Sequence, residues 1–453
     1  MGAKMSKVQI VWFRDLELWD FRSNNFTSDV FSNSNFPLVR IGNFLFRNKT
    51  SINIQDNKEY KRVTIKTKGQ GVFLRDILQG SNIGTKNQFL IKKGQFLISK
   101  IDARNGAFGV VSDDVDNAVI TGNFWTYDID ITQVNAHFLT LLTTMGSFIE
   151  FCESCSGGTT GRHYLDENKF LNANIPLPPL EIQQEIVNKI ENIKNQIKAL
   201  QEEEKRLKNE IEAYIYIVLG LEKKEQTQTQ KVFVVNFKDL ERWDITYNQA
   251  NQHTKGQILF ESIENITIYM QRGKTPIYSN VKKYPVIAQK CVQWSGLEIQ
   301  KSLFINPDSL ASYAKERFLQ DDDILLNSTG IGTLGRVVLY KNKDNPYNIA
   351  VADGHITVIR FDTQRILPQY FYHYFSSELI QDKIEEYATG STKQKELSLS
   401  LIKQIKIPLP PLEIQQEIIN FVESKRDRIK ANQKTIQSLR DSMSSELENL
   451  LIV

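Results

Sequence analysis

The sequence is poor in cysteine, in histidine and in long apolar runs, and each shortage removes a class of protein. Its 453 residues include only three cysteines, Cys152, Cys155 and Cys291. That is too few for a disulfide framework, so a reducing cytoplasmic compartment is expected. No run of about 18 apolar residues occurs, which excludes a transmembrane helix and a membrane partner. Residues 1–20 hold no apolar core with a cleavage site, so no secretory leader is expected. Excess charge is also missing. The 56 Lys and Arg stand against 53 Asp and Glu, a formal +3, too little to announce a nucleic-acid binder by itself.

Catalytic constellations are equally scarce. The five histidines (His137, His163, His253, His355 and His373) make no HExxH pair, and no GxSxG accompanies them. Cys152 and Cys155 form a CxxC without a second pair to complete a zinc site. Gly330, Gly332 and Gly335 fit GxGxxG, but a dinucleotide site needs a helix next. Residues 336–340 (RVVLY) read as a strand instead, so a hairpin is expected. Pro307-Asp308 has no nearby Asp/Glu-x-Lys, and Asn345-Pro-Tyr347 lacks a second proline and a glycine-rich cofactor motif. No catalytic centre is legible.

Repetition is what the chain has. The twelve residues 175–186, IPLPPLEIQQEI, recur without change at 407–418. A weaker match joins 7–20 (KVQIVWFRDLELWD) to 231–244 (KVFVVNFKDLERWD). Between these borders lie 154 residues in the first half and 162 in the second, and they largely differ. The layout is a duplication: two modules on one frame, each interior free to recognise something different. Pro176, Pro178 and Pro179 hold the chain extended, and Glu181 and Glu185 favour the positive end of a helix that follows. Each Pro-rich segment therefore reads as a stiff hinge feeding a helix.

Both helices carry a 3-4 apolar repeat. One seam runs Ile186, Ile190, Ile193, Ile197, Leu200, Glu204, Leu207, Ile211, Tyr214 and Val218. The other runs Ile418, Val422, Lys425, Ile429, Asn432, Ile436, Leu439, Met443, Glu446 and Leu450. Every pair differs by 232, so the seams are in matching register, as a coiled coil between them requires. Antiparallel pairing is the simplest arrangement, with Glu204 opposite Asn432 as a polar layer that fixes alignment.

The interiors mix short strands (95–101, 108–112, 323–327, 336–340) with helices near their ends (136–153, 369–387), an α+β pattern. The polar stretch 225–230 is the expected linker. Residues 1–174 carry 20 Lys and Arg against 17 Asp and Glu, and 227–406 carry 22 against 19. Positive charge thus sits on the modules and not on the helices. Gly-containing basic loops at 66–71, 100–106, 157–163, 272–275, 329–336 and 390–395 suit phosphate contact, because glycine lets backbone N–H groups approach an anion.

Together these features resemble the specificity (S) subunit of type I restriction–modification enzymes. The likeness rests on the duplicated Pro-Leu-Pro-Pro-Leu-Glu signature, on the openers ending in Trp19-Asp20 and Trp243-Asp244, and on the loops at 99–109, 158–162 and 332–336. It covers the whole chain. It implies an α+β fold: two target recognition domains in tandem, at 1–174 and 226–406. These are separated by two long helices, at 175–225 and 407–453, each opened by a Pro-rich hinge. The helices form an antiparallel coiled coil, giving pseudo-two-fold symmetry. It also implies double-stranded DNA as ligand, each domain reading one half of a bipartite asymmetric target. Two methyltransferase (M) subunits would dock on the coiled coil, and restriction (R) subunits would join them. S-adenosylmethionine, ATP and magnesium would belong to those partners, with no cofactor, metal or catalytic centre on this chain.

On that basis the DNA-contacting residues expected in the first module are Lys66, Lys68, Lys100, Arg104, Asn105, Arg162 and His163. In the second they are Arg272, Lys274, Gln289, Lys290, Arg336, Lys393, Gln394 and Lys395. Two other readings remain: a coiled-coil scaffold with no DNA role, and a specificity subunit of a related system whose partner fuses nuclease and methylase.

Overall fold

The computed structural model describes residues 34–157, 164–221, 258–330, 332–390 and 395–451. Both opening motifs and the stretch 225–230 lie outside them. The chain divides into two compact units, Met1–Leu200 with Lys434–Val453, and Gln201–Gln433. The division passes through both long helices, so each unit holds one module and part of each helix. Among the described residues no helix is long and apolar enough to cross a membrane.

The first unit is built on a four-stranded antiparallel sheet. Its strands, in spatial order, are Leu45–Asn48, Phe124–Ile129, Phe96–Ser99 and Phe108–Val110. Strand Phe96–Ser99 is buried along its whole length, because the sheet is covered on both faces. Period-two alternation sends Phe96 and Ile98 into one core and Leu97 into another. The first core is aromatic and lies under helices Ala136–Leu142, Gly146–Ser154 and Glu167–Asn172. There Phe108 meets Phe148 edge-on at 5.6 Å, and Phe148 meets Phe170 at 6.3 Å. Cys152 and Cys155 are buried in the same core, and burial pushes the Cys152 thiol well above its usual range. The second core lies under a five-stranded sheet ordered Ser51–Asn53, Asn87–Leu90, Val119–Ile120, Glu59–Lys66, Gly71–Gln79.

The second unit repeats the four-stranded frame in the same order: Thr267–Arg272, Ile356–Phe361, Ile324–Asn327, Val337–Leu339. The alternation repeats too, with Ile324 and Leu326 in one core and Leu325 in the other. Its outer sheet is different: Tyr278–Ser279, Leu303–Ile305, Pro285–Ile287, Val351–Ala352. The two modules therefore share a frame and differ in what is laid over it. The expected hairpin at Gly330 to Gly335 is present, since Ile324–Asn327 and Val337–Leu339 pair antiparallel across it.

Two expectations change. The helical stretches at 136–153 and 369–387 are each broken, into Ala136–Leu142 and Gly146–Ser154, and into Pro368–Phe375 and Glu378–Gln381. Side-chain hydroxyls bond back onto the helix at both breaks. Thr143 and Thr144 donate to the carbonyls of Thr140 and Leu141 at 2.7 and 2.6 Å, and Ser377 donates to that of Tyr374 at 2.6 Å. The Pro-rich segments, read as hinges, are docked strands. Asn174–Pro176 pairs with Leu38–Arg40, and Lys406–Pro408 with Phe260–Ser262. Proline is tolerated there because each ribbon has only two strands, and Ile175 and Ile407 anchor them in the cores.

The long helices run Leu180–Val218 and Leu412–Leu451, and within each unit they pair antiparallel. In the first unit Ile186, Ile190 and Ile193 share a core with Leu447, against which Ile197, Leu439 and Met443 pack. Lys189 there pairs with Glu446. In the second, Leu207 and Ile211 share a core with Ile418, Val422 and Ile429, and Tyr214 stacks on Phe421 at 3.8 Å. Ile436 is buried and Leu200 half-buried; the side chain of Leu450 lies outside the described residues. On the seam Lys425, Asn432 and Glu446 have partners, whereas the Glu204 Oε1 is buried without a hydrogen bond. Lys425 pairs with Glu210 at 2.6 Å, and Asn432 donates to Glu203 at 2.9 Å. Asn432 thus engages the residue next to the expected Glu204. Val187, Ile215, Leu219 and Ile419 are buried beside the seam, because the helices also cover the module cores.

Candidate nucleic-acid interface

In the first unit the loops at 66–71 and 100–106 come together. The long strands Glu59–Lys66 and Gly71–Gln79 pair side by side, and the turn joining them leans on the short 3-10 turn Ala103–Asn105. The Lys68 N–H donates to the Asn105 carbonyl and the Gly69 N–H to the Gly106 carbonyl, both at 2.8 Å. Lys68 itself adopts φ 58°. Gly106 is required twice over: its φ is 74°, and a Cβ there would lie 3.1 Å from the Lys68 nitrogen. Two loops distant in sequence thereby present Lys66, Lys68, Arg104 and Asn105 together. Lys66 and Lys68 are exposed, with the Lys66 ammonium 4.5 Å from the centre of the Phe73 ring. Asn105 is exposed and donates to Asp102 at 3.3 Å.

Lys100 stands next to this pair of loops, its ammonium 5.5 Å from the centre of the Trp125 ring. The Arg47 guanidinium lies 5.6 Å from the same ring and 3.0 Å from Glu167. Burial pulls the Arg47 guanidinium below its usual range, against the attraction of Tyr127 and Glu167. Arg47 and Trp125 carry no sequence signal, since both are single residues on separate strands. The Leu165 N–H donates to the Lys100 carbonyl at 2.9 Å, so the short ribbon Ser156–Gly157 with Tyr164–Leu165 is tied to Lys100. Arg162 and His163 lie outside the described residues.

The second unit uses its candidates differently. Arg272 pairs with Glu396 at 2.8 Å and donates to the Leu397 carbonyl at 2.8 Å. Gln289 donates to the Thr329 carbonyl at 2.6 Å, and Arg336 to the Gly332 carbonyl at 2.7 Å and to Gln293 at 2.8 Å. Lys395 pairs with Glu385, and its carbonyl accepts from the Gly330 N–H. Gln289 and Arg336 brace the loop around Gly330 and Gly332 with their side chains and Lys395 with its carbonyl, and the loop also bonds through Thr329 to His355 at 2.9 Å. Lys274 is exposed, 3.0 Å from the Ser312 hydroxyl and 5.1 Å from the centre of the Tyr313 ring, and Lys290 is exposed. Between Arg272 and Lys274, Gly273 is pressed against the chain, where a Cβ would come within 2.2 Å of the Ala352 and Asp353 carbonyls. Lys393 and Gln394 lie outside the described residues.

One unit therefore offers a basic, partly aromatic surface built from two loops, and the other a braced loop flanked by two exposed lysines. Lysine and arginine at such loops suit phosphates, and arginine, asparagine and glutamine suit base edges. The model of the type I restriction modification DNA specificity domain matches residues 35–213 and again 264–440, once per module and well over half of the chain.

The chain belongs to this family.

Among relatives of this specificity-domain chain is the type I restriction enzyme MjaVIII specificity subunit of Methanocaldococcus jannaschii. It is 25% identical over 308 residues, which span 67% of this chain and 66% of the relative, just under two thirds of its length. The EcoBI specificity subunit of Escherichia coli is 21% identical over 378 residues, 82% of this chain and 76% of that one. In fold, the chain is similar to one solved in work on complex assembly and conformational transition of the type I R-M system. The TM-score is 0.58 at 14% identity, covering 92% of this chain and 97% of the other. The sequence resemblance and the fold agree.

Proposed function

We propose that this chain is the DNA sequence-recognition subunit of a type I restriction–modification complex and has no catalytic centre of its own. Each module reads one half of a bipartite, asymmetric double-stranded target, and the paired helices set the spacing and dock two methyltransferase subunits. The observation that carries this is the double match of one DNA specificity family to two modules that share a frame and differ in their outer sheets. A shared frame with unlike overlays is what two different half-sites require.

In the first module, Lys66, Lys68, Lys100 and Arg104 supply cations for phosphates, and Asn105 supplies an amide at the rim. Clamping by the partners supplies part of the phosphate binding, so a net charge of +3 is sufficient. S-adenosylmethionine belongs to the methyltransferase subunits, and ATP and magnesium to the restriction subunits. The place of action is the cytoplasm.

The test is a single-molecule methylome of a host carrying this chain with its methyltransferase partner. A gapped two-part motif that disappears when the chain is deleted is the expected result. A methylome unchanged by the deletion would overturn the reading and leave a scaffold. Exchanging residues 21–174 for another module should alter one half-site and keep the other.

A further inference from the structure

The joint between each module and its long helix holds a buried amide, and the duplicated sequence places it twice. Gln183, in the first turn of its helix, is 0% exposed. Its Nε2 donates to the Pro178 carbonyl at 2.7 Å and to the Gln133 carbonyl at 3.0 Å, and its Oε1 accepts from the Asn135 N–H at 2.7 Å. Gln415 is likewise 0% exposed. Its Nε2 donates to the Pro410 carbonyl at 2.8 Å and the Arg365 carbonyl at 3.0 Å, and its Oε1 accepts from the Leu367 N–H at 2.8 Å. Each bond in one joint has its counterpart 232 residues later in the other.

Gln183 and Gln415 read the module side of the joint through backbone alone, although in the first unit the Asn135 side chain also donates to Gln184 at 2.8 Å. Gln133 and Asn135 answer to Arg365 and Leu367, unlike side chains whose peptide groups stand in the same places. A glutamine amide can therefore serve both modules, however their interiors differ. Its three bonds reach three places: the Pro-rich segment, and two points on the turn linking the central frame strand to the first module helix. In the first unit that turn joins Phe124–Ile129 to Ala136–Leu142, and in the second Ile356–Phe361 to Pro368–Phe375. Filling the space needs only an apolar side chain of similar shape. Directional bonds from one planar amide to separate backbone groups do more: they admit one orientation of the helix against the frame.

Resting on the DNA-recognition reading above, we propose that Gln183 and Gln415 are positioning residues that set the angle at which each module is carried on its helix. They thereby set the number of base pairs between the half-sites. A swing of about 10° at the joint moves a loop roughly 20 Å away, about one module radius, by roughly 3.5 Å. That is close to one base-pair step of about 3.4 Å. A small loosening of the joint is therefore enough to blur the gap.

The experiment uses the full-length chain in complex with its methyltransferase partner, on duplexes with fixed half-sites and gaps varied one base pair at a time. For Gln183→Met and Gln415→Met, the preference for the best gap over its neighbours should fall at least tenfold. Discrimination against a base change within either half-site should stay within twofold. Where a Met variant is insoluble, Gln183→Asn or Gln415→Asn replaces it. It keeps an amide that is one methylene too short for all three bonds, and the same direction of change is expected. A drop in all rates and in thermal stability with the gap preference intact would mean a merely structural role and would overturn the proposal. A wild-type complex indifferent to gap length would overturn the DNA-spacing reading itself, before any variant is compared.

Discussion

Lys68 combines a structural task with, under the proposed function, a phosphate contact. Its backbone, at φ 58°, holds two loops together, while its side chain is exposed and has no ion-pair partner among the described residues. Truncation to Lys68→Ala keeps the backbone and removes the charge. The expected effect is weaker binding to all sequences alike, with the slope of log affinity against log salt reduced by about 1. Titration of the complex at several salt concentrations checks this, and a change confined to one base position would assign Lys68 to base reading instead. His373 is a different case. It is buried with both ring nitrogens lacking hydrogen-bond partners, and burial, with Arg426 nearby, pulls its pKa down to about 3. Glu423 lies 3.7 Å away, but that carboxylate is exposed and its pull is smaller than the cost of burial. The unfolded chain takes a proton near pH 6.5, whereas the folded chain resists it until about pH 3. This contribution to stability is therefore present above pH 6.5 and is lost as pH falls, by about 2 kcal/mol on reaching pH 5. Denaturant titrations above pH 6.5 and at pH 5 should show wild type losing about 2 kcal/mol more unfolding free energy between the two than His373→Leu.

Elements show which local signals survive packing. The heptad seams were readable because side-chain period alone decides which residues face a partner helix. The hairpin around Gly330 was readable because a strand followed where a nucleotide fold needs a helix. The two broken helices were misread because Thr143, Thr144 and Ser377, whose hydroxyls turn back onto carbonyls, fall within an undisturbed helical spacing, so the period does not mark the breaks. The contact of Lys68 with Asn105, and the stacking of Arg47 and Lys100 about Trp125, join residues far apart in the chain. No periodicity encodes them. Even Gln183 and Gln415 stood in plain view within the repeat, yet the three backbone groups they hold are invisible without coordinates. The polar layer makes its own prediction. Asn432 is buried and its amide bond to Glu203, ahead of the Arg428 charge, holds that carboxyl below its usual range. Replacing Asn432→Ile should raise the melting temperature by roughly 2–4 °C, the equivalent of about 1 kcal/mol for a unit of this size. It should also relax the alignment. A cysteine pair at Leu207 and Ile429 should cross-link more completely with Asn432 than with isoleucine.

For the whole molecule, the helices act as a ruler under the proposed function. Deleting seven residues from each shortens the separation they impose by about 10.5 Å, close to three base-pair steps of about 3.4 Å. The methylated motif should keep its half-sites and lose about three base pairs from its gap; an unchanged gap would defeat the ruler.

The docked proline strands and their amides would let the chain be joined across its two halves without losing a joint. A crossover between the two copies of IPLPPLEIQQEI removes 232 residues in frame and fuses the first module to the second helix. Gln415 would then meet the Gln133 carbonyl and the Asn135 N–H that Gln183 meets now, because only peptide groups are read. The shortened product would keep a complete joint and an unbroken heptad seam. Two copies of it would restore a pair of helices bearing two identical modules, and under the proposed function an asymmetric target would become a palindrome.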